Sequence, residues 1–239
     1  KLNTSFENAA KHDFVSGKAH DKELQEELRR VFINYGNQPC MQTAFLFNYA
    51  GAPWLTQYWT RQVIDKVYSG ISPDFGYSGD EDQGLMGSLS VLLKTGLFST
   101  NGGTYPTPFY ELSSPIFNRI TIHLNPDYYP GGTFTIQAKN NGAQNFYIQS
   151  AKLNGKTLDK AWLLHETVVR PLAGGGCRDT CRDREEMYRA RRRYLGNTHR
   201  DACARSRRHR CVWCVGVDRR VWQCAGVDAR SGRGGSPRE

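Results

Sequence analysis

Apolar positions in the first hundred residues recur at helical spacing. Between Asp21 and Tyr35, Leu24, Leu28, Val31 and Phe32 stand among Glu and Arg as one stripe of an amphipathic helix, with Gly36 as its stop. A second apolar run, Met41 to Ala50, ends at Gly51. Pro53, whose fixed φ suits a first helical turn, opens a third helix that reaches Tyr68 ahead of Gly70. A polar loop, ISPDFGYSGDEDQG, follows, and Leu85 to Leu93 then reads as a largely buried helix ending at Gly96. Apolar faces of this length need partner helices to cover them.

After Gly102 the period changes from helical to two. Phe117, Ile120 and Ile122, then Phe134 and Ile136, then Phe146, Ile148 and Leu153 alternate with polar residues and predict strands. Gly131-Gly132 and Asn154-Gly155 tolerate the positive φ of hairpin turns and sit between those strands. Helices first and an antiparallel sheet second predict an α+β chain, a helical unit followed by a small β-sandwich. The expected divisions are 1–102, 103–169 and a tail of 170–239.

Charge separates the tail from the rest. The 239 residues carry a formal +9, yet residues 170–239 hold 18 Arg, no Lys and 8 acids, whereas residues 1–169 are close to neutral. A nucleic-acid groove is therefore not expected in the body. Cys40 stands alone there, so no internal disulfide is expected, while the other six cysteines fall after residue 176. The tail obeys neither period, contains the near-duplicate CVWCVGVDRR and VWQCAGVDAR, and is expected to be a disordered, low-complexity basic segment. Abrupt loss of Lys is what reading GC-rich DNA out of frame produces. Two minor readings of the tail stay open: a zinc site drawn from Cys177, Cys181, Cys203, Cys211, Cys214, His199 and His209, and an arginine-rich RNA-binding arm. No stretch reaches the ~18 to 20 apolar residues of a membrane span, and the polar start KLNTSFENAAKHDF lacks the regions of a signal peptide.

Two segments offer chemistry. Gly79-Asp80-Glu81-Asp82-Gln83-Gly84 sets three consecutive acids in a glycine-flanked loop before a buried helix. One reading is a helix start, with Asp as N-cap and acids in the first turn, contributing about 1 kcal/mol. The other is a carboxylate site in which one Asp activates water while its neighbours hold a cation or sugar hydroxyls. An EF-hand is a poor match, since the glycine comes fifth rather than sixth and the twelfth residue from Asp80 is Val91 rather than Glu. The second segment, Tyr35-Gly36-Asn37-Gln38-Pro39-Cys40-Met41-Gln42-Thr43, places amides before a helix carrying Trp54 and Trp59. Structurally it is a capped helix start with tryptophans in the core. Functionally, amides suit sugar hydroxyls and cations, and tryptophan faces suit pyranose rings.

Taken together, NYGNQPCMQTAFLFNYAGAPWLTQYW, GYSGDEDQGLMGSLSVLLKTGLF and SPIFNRITIHL resemble, in order and spacing, glycoside hydrolase family 92, the calcium-dependent exo-acting α-mannosidases. NFYIQSAKLNGKTL and WLLHETVV resemble strands of that family's C-terminal sandwich, so the likeness covers about residues 1–168. The resemblance implies that residues 1–102 are the last helices of an (α/α)6 catalytic barrel and 103–169 the closing sandwich. It implies inverting hydrolysis of terminal α-mannose from mannose-containing glycans, with Ca2+ binding the mannose O2 and O3. By position, Asp82 is the expected general base and Asp80 its alternate or helper. Asn37 and Gln38 are the expected sugar and metal contacts, and Glu81 a supporting residue near the substrate. Gln38 stands where many members have Glu, and Gln42 where many have His.

The family's general acid lies in a segment resembling E-G-x-x-W-Q-Y, and no such string precedes Asn37. The expectation is thus a C-terminal piece, inactive without the missing N-terminal part of the same enzyme, whose parent is periplasmic or extracellular. The rival from another class is a non-catalytic carbohydrate-binding or interaction module in which the acids serve only as helix caps.

Overall fold

The computed structural model describes residues 1–15, 32–73, 76, 79–129, 132–170 and, for backbone alone, 221–225. The helical part begins with α1, Leu2–Ala10, which buries Phe6 and Ala9. Two short 3-10 turns, Gln38–Cys40 and Thr43–Phe45, lead into α2, Leu46–Tyr49. Helix α3 spans Pro53–Val67 with proline in its first turn, and α4 spans Leu85–Thr95 and ends at Gly96 in the left-handed region. The three helices expected after residue 40 are therefore present. The stripe expected from Asp21 to Tyr35 falls mostly outside the described residues. Its last residues are not helical: Ile33 and Tyr35 point inward from an irregular segment, and Phe32 is largely exposed.

Helix α1 carries a short apolar stripe of Leu2, Phe6, Ala9 and Ala10 and is not among the elements expected from the sequence. Its role is nonetheless central to the helical core. The Phe6 ring lies 5.1 Å from Trp59, 5.6 Å from Phe47 and 6.3 Å from Phe14, and the Trp59 indole N–H donates to Asn3 at 2.8 Å. Trp59 is buried as expected, whereas Trp54 is only half-buried. Val63, Val67, Met86, Leu89 and Leu93 complete this core, so α3 and α4 turn their apolar faces toward it.

The strands form two sheets. β1, Leu97–Phe98, pairs with β2, Phe109–Leu112, which pairs in turn with β7, Trp162–Leu164, all antiparallel. The larger sheet runs β3 (Arg119–His123), β4 (Thr133–Lys139), β8 (Val221–Ala225), β5 (Ala151–Leu153) and β6 (Lys156–Thr157). β3 keeps the period-two pattern, with Arg119, Thr121 and His123 exposed and Ile120 and Ile122 turned inward, whereas β4 buries Phe134, Thr135 and Ile136 in succession. Asn154 and Gly155, at φ 53° and 78°, make the two-residue turn between β5 and β6, as the sequence predicts. The two sheets share one apolar cluster, Leu97, Leu112 and Leu163 from one and Phe134, Ile136 and Ala151 from the other. A short helix, α5, His165–Val169, follows β7.

Two expectations fail here. Residues 146–150 are not a strand, because the Ile148 N–H goes to the Gln57 side chain of α3 at 2.8 Å instead of to a neighbouring strand. The basic tail is not wholly without structure either. Val221–Ala225 lies between β4 and β5, parallel to the first and antiparallel to the second, so the sheet is mixed. A short run of Val, Trp, Gln, Cys and Ala has β propensity enough to fill a slot with unpaired backbone on both sides. The cysteines and histidines of the zinc reading lie outside the described residues. Among the described residues no helix is long and apolar enough to cross a membrane.

Helix α3 joins the two parts through its polar face. Gln57 is 2 % exposed and, like Arg61, bonds the strand region rather than solvent. The Arg61 guanidinium donates to the Ser114 carbonyl at 3.2 Å, to Ser114 Oγ at 3.1 Å, to Asn141 Oδ1 at 2.5 Å and to the Pro115 carbonyl. Hydrogen bonds to a charged group contribute about 1.5–3 kcal/mol, and removing the charge strands the carbonyls it satisfied. Arg61→Met, which keeps the aliphatic stem, should lower unfolding stability by about 2–3 kcal/mol in urea titration, whereas Arg119→Met on an exposed strand position should change it by less than ~0.5 kcal/mol.

Candidate active site

The amide segment is shaped by its own side chains. Asn34 Oδ1 accepts the Gly36 N–H at 2.9 Å, and Asn37 Oδ1 caps the first 3-10 turn by accepting the Gln38 N–H at 2.8 Å. Cys40 closes the loop, its thiol donating to the Phe32 carbonyl while accepting the Asn34 N–H, both at 3.3 Å. Beneath it, the Tyr35 phenol oxygen accepts the Ala44 N–H at 3.0 Å, and Thr56 Oγ1 donates to the Ala44 carbonyl. Tyr35 is wholly buried, and that burial pushes its phenol far above the ordinary tyrosine range. Gln38 and Gln42 are exposed and Asn37 half-buried.

The acid segment is held against it by a backbone crossing. Gly79, at φ 97°, packs on Gly36: a Cβ on Gly79 would press into Gly36 Cα and lie 2.7 Å from the Gly36 carbonyl oxygen. A Cβ on Gly36 would sit 3.0 Å from Gly79 Cα. The crossing is tied by the Asp80 N–H donating to the Gly36 carbonyl at 3.0 Å. Asn37 and Asp80 are thus the residues by which each chain leaves the crossing. Residues 32–35, immediately ahead of Gly36, are irregular rather than helical, and another backbone passes over the glycine. Tyr68 supports the amide side of the crossing, donating to the Tyr35 carbonyl at 2.6 Å, and lies 3.7 Å from Met86 Sδ in the first turn of α4. Sequence reasoning alone assigns no site role to either glycine or to Tyr68. The available signal is a glycine immediately ahead of each polar run.

The three acids differ in setting. Asp80 is exposed. Glu81 turns back to the helix start: its carboxylate accepts the Gly84 N–H, and its carbonyl accepts the Met86 N–H at 3.1 Å. Asp82 is half-buried, and its Oδ2 atom is buried with no hydrogen-bond partner among the described residues. Asp82, Gln83 and Gly84 all have positive φ, 54°, 61° and 88°, a run in which only the glycine is unstrained. The helix-cap reading of this motif therefore needs correction. The residue before α4 is Gly84, no acid occupies the first turn, and only Glu81 does capping work, from outside the helix. Among the described residues no group of three or more His, Cys, Asp or Glu converges to hold a metal ion.

Residues 1–176 match the glycosyl hydrolase family 92 catalytic domain. The chain belongs to glycosyl hydrolase family 92. An uncharacterized secreted glycosidase of Arthroderma benhamiae is 33% identical over 133 residues, 55% of this chain and 16% of that protein. The family GH92 α-mannosidase of Bacteroides thetaiotaomicron, solved in complex with mannoimidazole, matches at TM-score 0.51 and 29% identity over 57% of this chain and 17% of that one. This family 92 chain thus spans about a sixth of the length of these relatives. A weaker likeness, 29% identical over 73% of this chain and 16% of the partner, runs to the DNA-directed RNA polymerase subunit beta of Cucumis sativus and carries no functional argument.

The crossing makes a sharp prediction about the two glycines of the motif. Gly84 has open space where a Cβ would stand, whereas Gly79 has none. Gly84→Ala should cost only the left-handed backbone term of about 1–2 kcal/mol, while Gly79→Ala should cost at least ~1 kcal/mol more because the backbones must separate. Thermal denaturation of the two variants side by side reads the difference.

Tyr35 gives a pH dependence. Its phenol stays protonated in the folded chain well above the pKa of about 10 it has when unfolded. Both states hold the proton at neutral pH, so no stability is gained or lost there. Above about pH 10 the unfolded state binds fewer protons than the folded one, so stability falls as pH rises. Tyr35→Phe should flatten that alkaline slope in urea titrations from pH 9 to 11. At pH 7 it should cost about 1–3 kcal/mol for the unmatched Ala44 N–H.

Proposed function

We propose that this chain supplies the general-base side of an exo-acting α-mannosidase, which removes terminal α-linked mannose from glycans by single displacement with inversion. The observation that carries the reading is the glycine crossing. It joins an amide loop to an acid loop whose Asp82 keeps one carboxylate oxygen buried and unpaired among the described residues. An unpaired buried carboxylate oxygen costs at least ~1–3 kcal/mol and is suited to accepting a proton from an attacking water. In this reading Asp82 holds that water and takes its proton, Asp80 orients the same water from the exposed side, and Glu81 keeps the loop seated on α4. The family α-mannosidase solved with mannoimidazole supports mannose as the sugar. The barrel and sandwich assignments of 1–102 and 103–169 belong to the same proposal. So does a general acid contributed by residues other than those described.

Calcium belongs here as well. The side-chain oxygens of Asn37 and Gln38 are neutral hard donors of the kind calcium accepts, and the Asn37 oxygen keeps a second lone pair beside its bond to the Gln38 N–H. They would provide two of the roughly six to eight oxygens calcium takes, leaving the remainder to sugar hydroxyls, water and other residues. When bound, the ion would position the mannose O2 and O3 and favour a distorted ring. The residues named here hold the amide loop at the crossing whether or not the ion is present.

Asp82→Asn in the full-length enzyme tests the base. It removes the proton acceptor but keeps the shape and the tolerance for positive φ. Turnover of an aryl α-mannoside should fall about 10²–10⁴-fold with the thermal midpoint nearly unchanged. Near-normal turnover with a lowered midpoint would reject the assignment. Proton NMR of the first-formed product should show β-mannose, the inverted anomer.

A further inference from the structure

The larger sheet is two antiparallel pairs joined by one strand from far along the chain. β3 pairs with β4, and β5 pairs with β6 across Asn154-Gly155. Between the two pairs lies β8, parallel to residues 135–139 of β4 and antiparallel to β5. Without β8, β4 and β5 would each present a row of unpaired N–H and C=O groups toward the other. The slot is thus a feature of two locally built pairs, and its filling comes from elsewhere. In the sequence, residues 171–220 separate Val221 from Arg170.

Register gives the slot a preference. Trp222 stands in one row with Ile136 and Leu153, and Cys224 stands in the next row on the same face with Ala138 and Ala151. Ile136, Ala138 and Ala151 are buried in the apolar cluster shared by the two sheets, and Leu153 packs against it. Gln223 falls between these rows, opposite Gln137 and Lys152, and Val221 opposite Thr135. The slot therefore asks for apolar residues second and fourth in an extended strand and accepts a polar one between them, and VWQCA has that order.

We propose that the space between β4 and β5 is a binding site for an extended peptide of this pattern. β8 is the occupant the chain itself carries, and it exchanges with the same strand supplied from outside. Strand addition takes affinity from main-chain hydrogen bonds and specificity from alternate side chains, and here both flanks of the added strand are paired. The covalent connection adds little hold. Loop-closure cost rises only with the logarithm of length, so a connection this long presents its strand at about millimolar effective concentration or less. Neither Asp82 nor a sugar enters the argument.

The test uses the whole 239-residue chain and a fluorescein-labelled peptide of residues 219–227. Binding is followed by anisotropy under reducing conditions and by hydrogen-exchange mass spectrometry of β4 and β5. In the wild type β8 competes from within the chain, so half-saturation is expected at about millimolar peptide. Gln223→Pro in the full chain removes a ladder N–H from a central strand and disfavours β8. It should speed exchange in β4 and β5 and tighten peptide binding about tenfold or more, and bound peptide should restore the protection. The same peptide carrying Gln223→Pro should bind neither chain. A folded Gln223→Pro chain without saturable binding, unchanged exchange in β4 and β5, or equal uptake of the proline-bearing peptide would each overturn the proposal. Should Gln223→Pro unfold the chain, the wild type decides. Saturable binding of the unaltered peptide alone supports the site, and its absence up to about 10 mM, well above the effective concentration, overturns it.

Discussion

Two backbones touching at Gly36 and Gly79 are the constraint on which the candidate site depends. Peptide chains approach this closely only where both lack a Cβ, and the contact is fixed by the Asp80 N–H on the Gly36 carbonyl. The consequence is chemical rather than merely steric. An amide-bearing turn and an acid-bearing turn, far apart in sequence, leave one point in fixed directions. The buried tyrosines stiffen that point from below. Tyr35 holds the Ala44 peptide through its phenol, and Tyr68 holds the Tyr35 peptide while packing on Met86 at the start of α4. Polar loops are therefore anchored by an aromatic core, which fixes their directions.

Helix α3 transmits order between the helical core and the sheets because it is buried on more than one face. Its apolar residues Trp59, Val63 and Val67 serve the core, while Gln57 and Arg61 satisfy backbone groups of the irregular segments beside the strands. Arg61 reaches two backbone carbonyls, the Ser114 hydroxyl and the Asn141 amide oxygen with one planar group. A guanidinium with several donors can fasten such loops at once, where a lysine would fasten fewer. Gln57 also explains why residues 146–150 depart from the strand their alternation suggests: its side chain has taken the N–H that a ladder would use.

Much of this architecture is legible in the sequence, for reasons that differ by element. Pro53, Gly96 and Asn154-Gly155 act through their own backbone preferences, so the start of α3, the end of α4 and the β5–β6 turn can be placed locally. Phe6 gives little signal because its partners Phe47 and Trp59 are remote in the chain, and packing on them makes α1 worthwhile. The slot filled by Val221–Ala225 is invisible for the same reason, since it is made by β4 and β5 and not by the tail. The two chemical loops can be named from their residue types. That Gly36 and Gly79 cross cannot, because a glycine at a turn and a glycine under a second backbone look alike in one dimension.

The acid motif illustrates how structure divides what composition lumps together. Three adjacent carboxylates could all have been caps, yet only Glu81 bonds the N–H of Gly84 ahead of α4. With that donor satisfied, Asp82 has no capping task, and its backbone at φ 54° carries a left-handed turn that most residues would resist. A strained residue with a buried oxygen is unfavourable on both counts, and no hydrogen bond from the described residues offsets the burial of that oxygen. Ordinary selection for stability would replace it. In the proposed reading that oxygen accepts a proton from water, while Glu81 keeps the loop on the start of α4.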